Sequence, residues 1–211
     1  MTRKHLFLAG YATLALSLVF KALPAEQAKS TRDTSSPSAF QLAREGNRYI
    51  GEQAKDKVVQ IRSERSKGTV TPSIWYVVYF DDTAALKATE VKFGNGRMLD
   101  VKRPLRLLSA TSNKSAPLPK EKLKVDSDEA LKIVMRQPAL EGVTLKSSEM
   151  RLERDRNEEP VWRISLWGSG PKAPEYETSI GDITIGAADG KIIENDLKPE
   201  KVASSDPAPK S

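Results

Sequence analysis

The 211-residue chain is 38% hydrophobic and 29% charged, has no Cys, and carries a single His, His5. Because His5 falls in a predicted removable leader, His-based triads, Cys nucleophiles and the usual zinc sites are excluded from the mature chain. The formal charge of +6 includes Arg3, Lys4 and Lys21 from that leader, and Asp and Glu are interleaved along the rest, so a pI near 9.4 does not argue for a nucleic-acid partner.

Met1 to Ala25 has a basic start, an apolar stretch from Leu6 to Phe20 and a small residue, Ala25, just before polarity rises at Glu26. This is the layout of a signal peptide, and the apolar stretch is shorter than the roughly 20 residues needed to span a bilayer. The expected location is periplasmic or secreted, with a membrane attachment only where the leader stays uncut. Without Cys the exported chain has no disulfides and depends on burial for its stability.

Residues 26–37 and 109–121 lack an apolar period and read as linkers, and 199–211 as a disordered tail. Between them lie two modules, 38–108 and 122–198. Residues 26–118 carry 16 basic and 10 acidic residues, whereas 119–211 carry 15 and 18. The opposite signs weakly favour docking of the two modules.

Module one opens with helical spacing over Ser38 to Ala54, which Gly46 and Gly51 weaken. Strands are then predicted at Val58 to Ser63, Ile74 to Phe80, Leu86 to Phe93 and Arg97 to Lys102, the last two joined by the Gly94-Asn95-Gly96 turn. Module two starts at Asp126 or Ser127, either able to accept the first free amides of a helix that Pro138 ends. Strands follow at Ser148 to Arg154, Val161 to Trp167, Glu177 to Ile185 and Lys191 to Asn195. Trp75 and Trp162 hold the second place in the second strand of each module and are assigned to the core. The shared order points to a duplication. The expected fold is α+β, with two tandem modules, each one helix packed on its own antiparallel sheet of about four strands.

The second module resembles the PepSY domain family over residues 122 to 198. The resemblance rests on Asp126-Ser127-Asp128-Glu129-Ala130-Leu131 opening a helix, Val161 to Leu166 as middle strand, and Asp182-Ile183-Thr184-Ile185-Gly186-Ala187-Ala188-Asp189-Gly190-Lys191-Ile192-Ile193 as closing hairpin. Module one is similar only in the order of its elements. The resemblance implies an extracytoplasmic binding or inhibitory module with no catalytic residues, associated with proteases or the cell envelope.

Alternation along Ile74 to Phe80 puts Trp75, Val77 and Tyr79 on one face and Ile74, Tyr76, Val78 and Phe80 on the other. Both faces are apolar, so the second is either covered by another part of the chain or a docking surface for another protein. Trp167, on the polar face beside a Gly/Pro loop, is the other predicted contact residue. Asp81-Asp82 and Glu158-Glu159 read as solvated turn carboxylates, and Arg97, Lys102, Arg103 and Arg106 as a modest basic cluster. No cofactor, metal ligand or catalytic residue is predicted. The expectation is a non-catalytic binding protein that regulates or inhibits an envelope or secreted protease. A structural or assembly component of the envelope is the alternative, and a serine hydrolase using Ser169 and Lys172 comes third.

Overall fold

The computed structural model describes residues 36–103, 116–170 and 174–203. Helix α1 spans Ala39–Gly46 and is followed by short 3-10 turns at Asn47–Tyr49 and Glu52–Ala54. A capping box starts it: the Ser38 hydroxyl accepts from the Gln41 amide, and the Gln41 side chain accepts from the Ser38 amide. It is shorter than the predicted 38–54 run because it ends in glycine, where the sheet comes too close for a side chain. The Tyr79 hydroxyl lies 2.0 Å from where a Gly46 Cβ would sit, and it donates to the Ala43 carbonyl at 2.6 Å.

Strands β1 (Val58–Ser63), β2 (Ile74–Phe80), β3 (Ala88–Gly94) and β4 (Arg97–Lys102) form an antiparallel meander. Asn95 and Gly96 take positive φ, 48° and 78°, in the tight turn before β4. Helix α2 (Ser127–Met135) then leads into β5 (Thr144–Arg154), β6 (Pro160–Ser169), β7 (Thr178–Gly186) and β8 (Ile192–Asn195), a second meander. A short helix α3 covers Glu200–Ala203.

The expected pair of separate four-stranded sheets is corrected here. All eight strands form one sheet in the order β4-β3-β2-β1-β5-β6-β7-β8, and the described residues belong to one compact unit. The reason lies in β1 and β5. Each is the first strand of its meander and would otherwise present an unpaired edge. Instead they pair antiparallel, Ile61 with Leu152 and Arg62 with Arg151. Beyond those two pairs buried serines continue the joint: Ser63 Oγ accepts from the Met150 amide at 2.9 Å and Ser66 Oγ from the Ser148 amide at 2.8 Å.

The layer above the seam is fused as well. The Asp126 carboxylate caps α2 through the Ser127 amide and also accepts from the Phe40 amide (3.0 Å) and the Ser38 hydroxyl (2.6 Å) at the start of α1. One carboxylate therefore serves the positive ends of two helices. Below it Trp75 meets Trp162 edge-on at 6.5 Å, and Phe40 stacks on Trp162 at 6.2 Å. A single hydrophobic core runs through both halves.

Segments expected to link or trail take part in that core. Leu118 is 3% exposed and its amide donates to the Val58 carbonyl, so the last residues of the 109–121 stretch are docked. Val202, in the stretch read as a tail, is 1% exposed. The predicted leader lies outside the described residues.

A shared cap is testable by a double-mutant cycle. Ser38→Ala and Asp126→Ala should each lower stability by roughly 1–2 kcal/mol. Chemical denaturation should show one transition and a coupling of about 0.5 kcal/mol or more between them; strict additivity, or two separate transitions, would show halves that fold independently.

Candidate functional site

The helices cover one face of the sheet, α1 on β1 and β2, α2 on β6 and α3 on β7. Trp75, Val77 and Tyr79 point into this layer, as do Trp162, Ile164 and Leu166, all 4% exposed or less. Among the described residues the opposite face carries no helix. Ile74, Tyr76, Val78, Phe80 and Trp167, the five predicted contact residues, all lie on this open face, with β1 and β5 separating the β2 group from Trp167.

The β2 group does not make a bare apolar patch. Tyr76 sits in register between Arg62 on β1 and Lys92 on β3, whose charged groups lie 4.0 and 5.0 Å from its ring centre. Its hydroxyl donates to Glu64, which Lys92 also reaches at 3.0 Å. The Tyr76 hydroxyl, followed by Lys92, holds the Glu64 carboxyl below its ordinary range. Val78 is only 5% exposed, and the Arg62–Glu90 ion pair joins the strands on either side of it at 2.5 Å. Lys57 lies 6.0 Å from the Phe80 ring centre. Among the described residues the cover comes from charged side chains on or beside the neighbouring strands, and their stems shield apolar surface while their heads stay wet. Charges at alternate positions, Arg62 in β1 and Glu64 just past its end, Glu90 and Lys92 in β3, are the signal in the sequence.

Trp167 is half-buried. Arg65 stacks on it at 4.2 Å and is itself fixed by the Ser147 hydroxyl at 3.0 Å and Glu177 at 2.7 Å. The Ser147 hydroxyl also donates to Glu177, whose carboxyl it holds below the ordinary range ahead of Arg65. This is a cation-on-ring stack whose cation is held in place by Ser147 and Glu177.

Asp81 departs from the solvated reading. It is 1% exposed, and its carboxylate accepts from the Thr83 amide and hydroxyl (3.1 and 2.6 Å), the Thr89 hydroxyl (2.6 Å) and Gln53 (3.2 Å). Asp82, Glu158 and Glu159 are exposed. Ser169 is 1% exposed and its buried hydroxyl has no hydrogen-bond partner among the described residues; Lys172 lies outside the described residues. The basic cluster is dispersed into ion pairs, Lys102 with Asp100 and Arg103 with Asp81, and Arg106 lies outside the described residues. Among the described residues no group of three or more acidic or His side chains is placed to hold a metal ion. None of their helices is long and apolar enough to cross a membrane.

Exposed apolar side chains gather at the two rims of the sheet. On β4 they are Met98, Leu99 and Val101, at 38, 56 and 38% exposure, and on β8 Ile192 and Ile193, at 40 and 56%. A bulge at the same place in both hairpins turns these residues: Phe93 pairs with Met98 while Lys92 pairs with Asp100, and Ile185 pairs with Ile192 while Thr184 pairs with Glu194. Leu99 is thereby brought beside Ile74, since both crowd the place where a Gly94 Cβ would be. The last strand of each meander is the rim, which the order of strands predicts only once the two meanders are known to join through their first strands. Comparison with protein-family models, curated proteins and solved structures finds no match.

The buried carboxylate gives a pH prediction. The Thr83 and Thr89 hydroxyls hold Asp81 well below the ordinary carboxylate range. Its contribution is therefore complete above the unfolded value, about pH 4, and is lost as pH falls below it. In thermal melts between neutral pH and about pH 2, Asp81→Asn should be less stable than the parent at neutral pH, by roughly 2 kcal/mol, and the gap should close on acidification; a constant gap would show that the carboxylate charge contributes nothing.

Proposed function

We propose that this chain is an exported, non-catalytic binding protein that takes up an extended segment of a partner protein along β4 and thereby regulates or inhibits an envelope or secreted protease. The observation that carries this reading is β4 itself. It is a six-residue rim strand in which all but Asp100 are exposed, with apolar side chains disposed to both faces of the sheet. An added strand would take backbone hydrogen bonds from the outer edge of β4, which pairs with no further strand among the described residues, and its alternate side chains would rest on Leu99 and Ile74 on one face, Met98 and Val101 on the other. Arg97, Lys102 and Arg103 stand along or just past the strand, so an apolar segment with acidic residues suits it best. The leader-like first 25 residues and the PepSY resemblance of residues 122–198 support an extracytoplasmic setting and a protease as the partner class.

A second reading, an assembly component of the envelope, draws on β8. That rim also exposes apolar residues, Ile192 and Ile193, but bears Glu194 and is followed by Asp196, so the basic rim of one copy complements the acidic rim of the next. Such head-to-tail contacts build open chains.

Leu99→Glu with Val101→Glu tests both. In the first reading the parent protein slows proteolysis by the source's secreted proteases, and the double variant loses this while its stability stays within about 0.5 kcal/mol. Undiminished proteolysis by the parent counts against inhibition. Concentration-dependent self-association, abolished equally by the double variant and by Ile193→Glu, would establish assembly instead.

A further inference from the structure

We infer that the hollow on the open face over β5 to β8 is a binding site for a small zwitterion, one that carries a carboxylate and an ammonium several ångström apart. The hollow has a volume of about 280 Å³. That lies at the lower limit of ligand pockets and suits a free lysine or a dipeptide better than a larger molecule. Two rows of side chains form its floor, each running from β5 across β6 and β7 to β8 or the residue just past it. The first runs Arg151, Arg163, Thr184, Glu194 and the second Glu149, Ser165, Asp182, Asp196.

The charges in these rows are sorted. Both arginines lie at the β5–β6 end, whereas Asp182, Glu194 and Asp196 lie at the β7–β8 end. Glu149 is the exception, at the basic end. Successive strands are about 4.8 Å apart, so the two ends are separated by roughly 10 Å at the backbone, a gap that long side chains shorten.

The basic end is under-compensated. Arg62, Arg151 and Arg163 stand directly opposite one another on three adjacent strands, an arrangement that costs stability in a sheet. The outer two have close acidic partners: Arg62 has Glu90 at 2.5 Å, and Arg163 has Glu153 at 3.2 Å and Glu194 at 3.7 Å. Arg151, in the middle, has only Glu149 at 3.8 Å among the described residues. A carboxylate placed between Arg151 and Arg163 would relieve this repulsion with charge-assisted hydrogen bonds. At the other end the Asp182 carboxylate takes one hydrogen bond, from the Ser165 hydroxyl, and Asp196 has no ionic partner among the described residues. These acids would repel a simple anion, and the arginines a simple cation. A ligand bearing both charges is favoured at both ends.

The test uses the isotope-labelled whole chain and amide shifts on titration with 6-aminohexanoate, L-lysine and Ala-Ala, against hexanoate and hexylamine. The zwitterions should shift amides around Arg151, Arg163 and Asp182 saturably at millimolar concentration, and the singly charged controls should bind about tenfold more weakly or not at all. Arg151→Gln should weaken the zwitterions about tenfold and leave the thermal midpoint of the free protein unchanged or raised, because it removes a like charge. Asp182→Asn keeps an acceptor for Ser165 and should weaken them similarly. Should Arg151→Gln prove unstable, Asp182→Asn decides alone. No saturable shift, equal binding of hexanoate or hexylamine, or undiminished binding by Asp182→Asn would overturn the assignment.

Discussion

The sheet holds together across a seam with only two backbone register pairs, and everything else follows from how that seam is reinforced. Backbone pairing of this extent would not by itself keep eight strands in one sheet. Three additions make the joint: serine side chains that stand in for ladder partners, the Asp126 carboxylate shared by two helix starts, and Trp75 against Trp162 beneath them. Each is buried or half-buried, where a lost partner leaves a polar group unsatisfied or a void unfilled. The joint also merges what would be two small cores into one, and the gain is physical. Modules of about 70 residues without disulfides are marginal, and a common interior raises the fraction of surface removed from water.

The elements themselves were legible for ordinary reasons. Alternation in Ile74 to Phe80, the Asn95-Gly96 turn and the cap at Asp126 are local signals, and each element formed where its residues favour it. Their assembly was not legible in the same way. That Trp75 and Trp162 occupy matching places says both are core; it does not say that they touch each other. Likewise Asp126 as a cap of its own helix follows from spacing, whereas its second role at α1 requires the three-dimensional meeting of segments 86 to 88 residues apart.

The candidate site shows the same divide. Tyr76 and Trp167 lie on the face away from the helices, and the cover over them comes from side chains on or just past strands whose register no local pattern fixes: Arg62 and Lys92 for one, Arg65 for the other. Free apolar surface moved to the rims as a result. A residue such as Leu99 is unremarkable in sequence, and it acquires meaning only from being on a terminal strand after a bulge, next to Ile74.

Comparing the halves position by position shows where constraint ends. Aligning Trp75 with Trp162 sets Val77 against Ile164 and Tyr79 against Leu166 on the buried face, apolar bodies throughout, as a shared dry layer demands. On the open face the same alignment sets Tyr76 against Arg163 and Val78 against Ser165. The first half keeps an apolar floor under a roof of charged stems, and the second leaves charge on an open hollow. Burial holds one face of a repeated plan constant and leaves the other free to differ. The row Arg62, Arg151, Arg163 crosses the boundary between the two halves: Arg151 already faces Arg163 within the second half, and closing the seam sets Arg62 beside that pair. Joining two strands solved an edge problem and, on the reverse side, added a third arginine to a like-charged pair that the second half already carries.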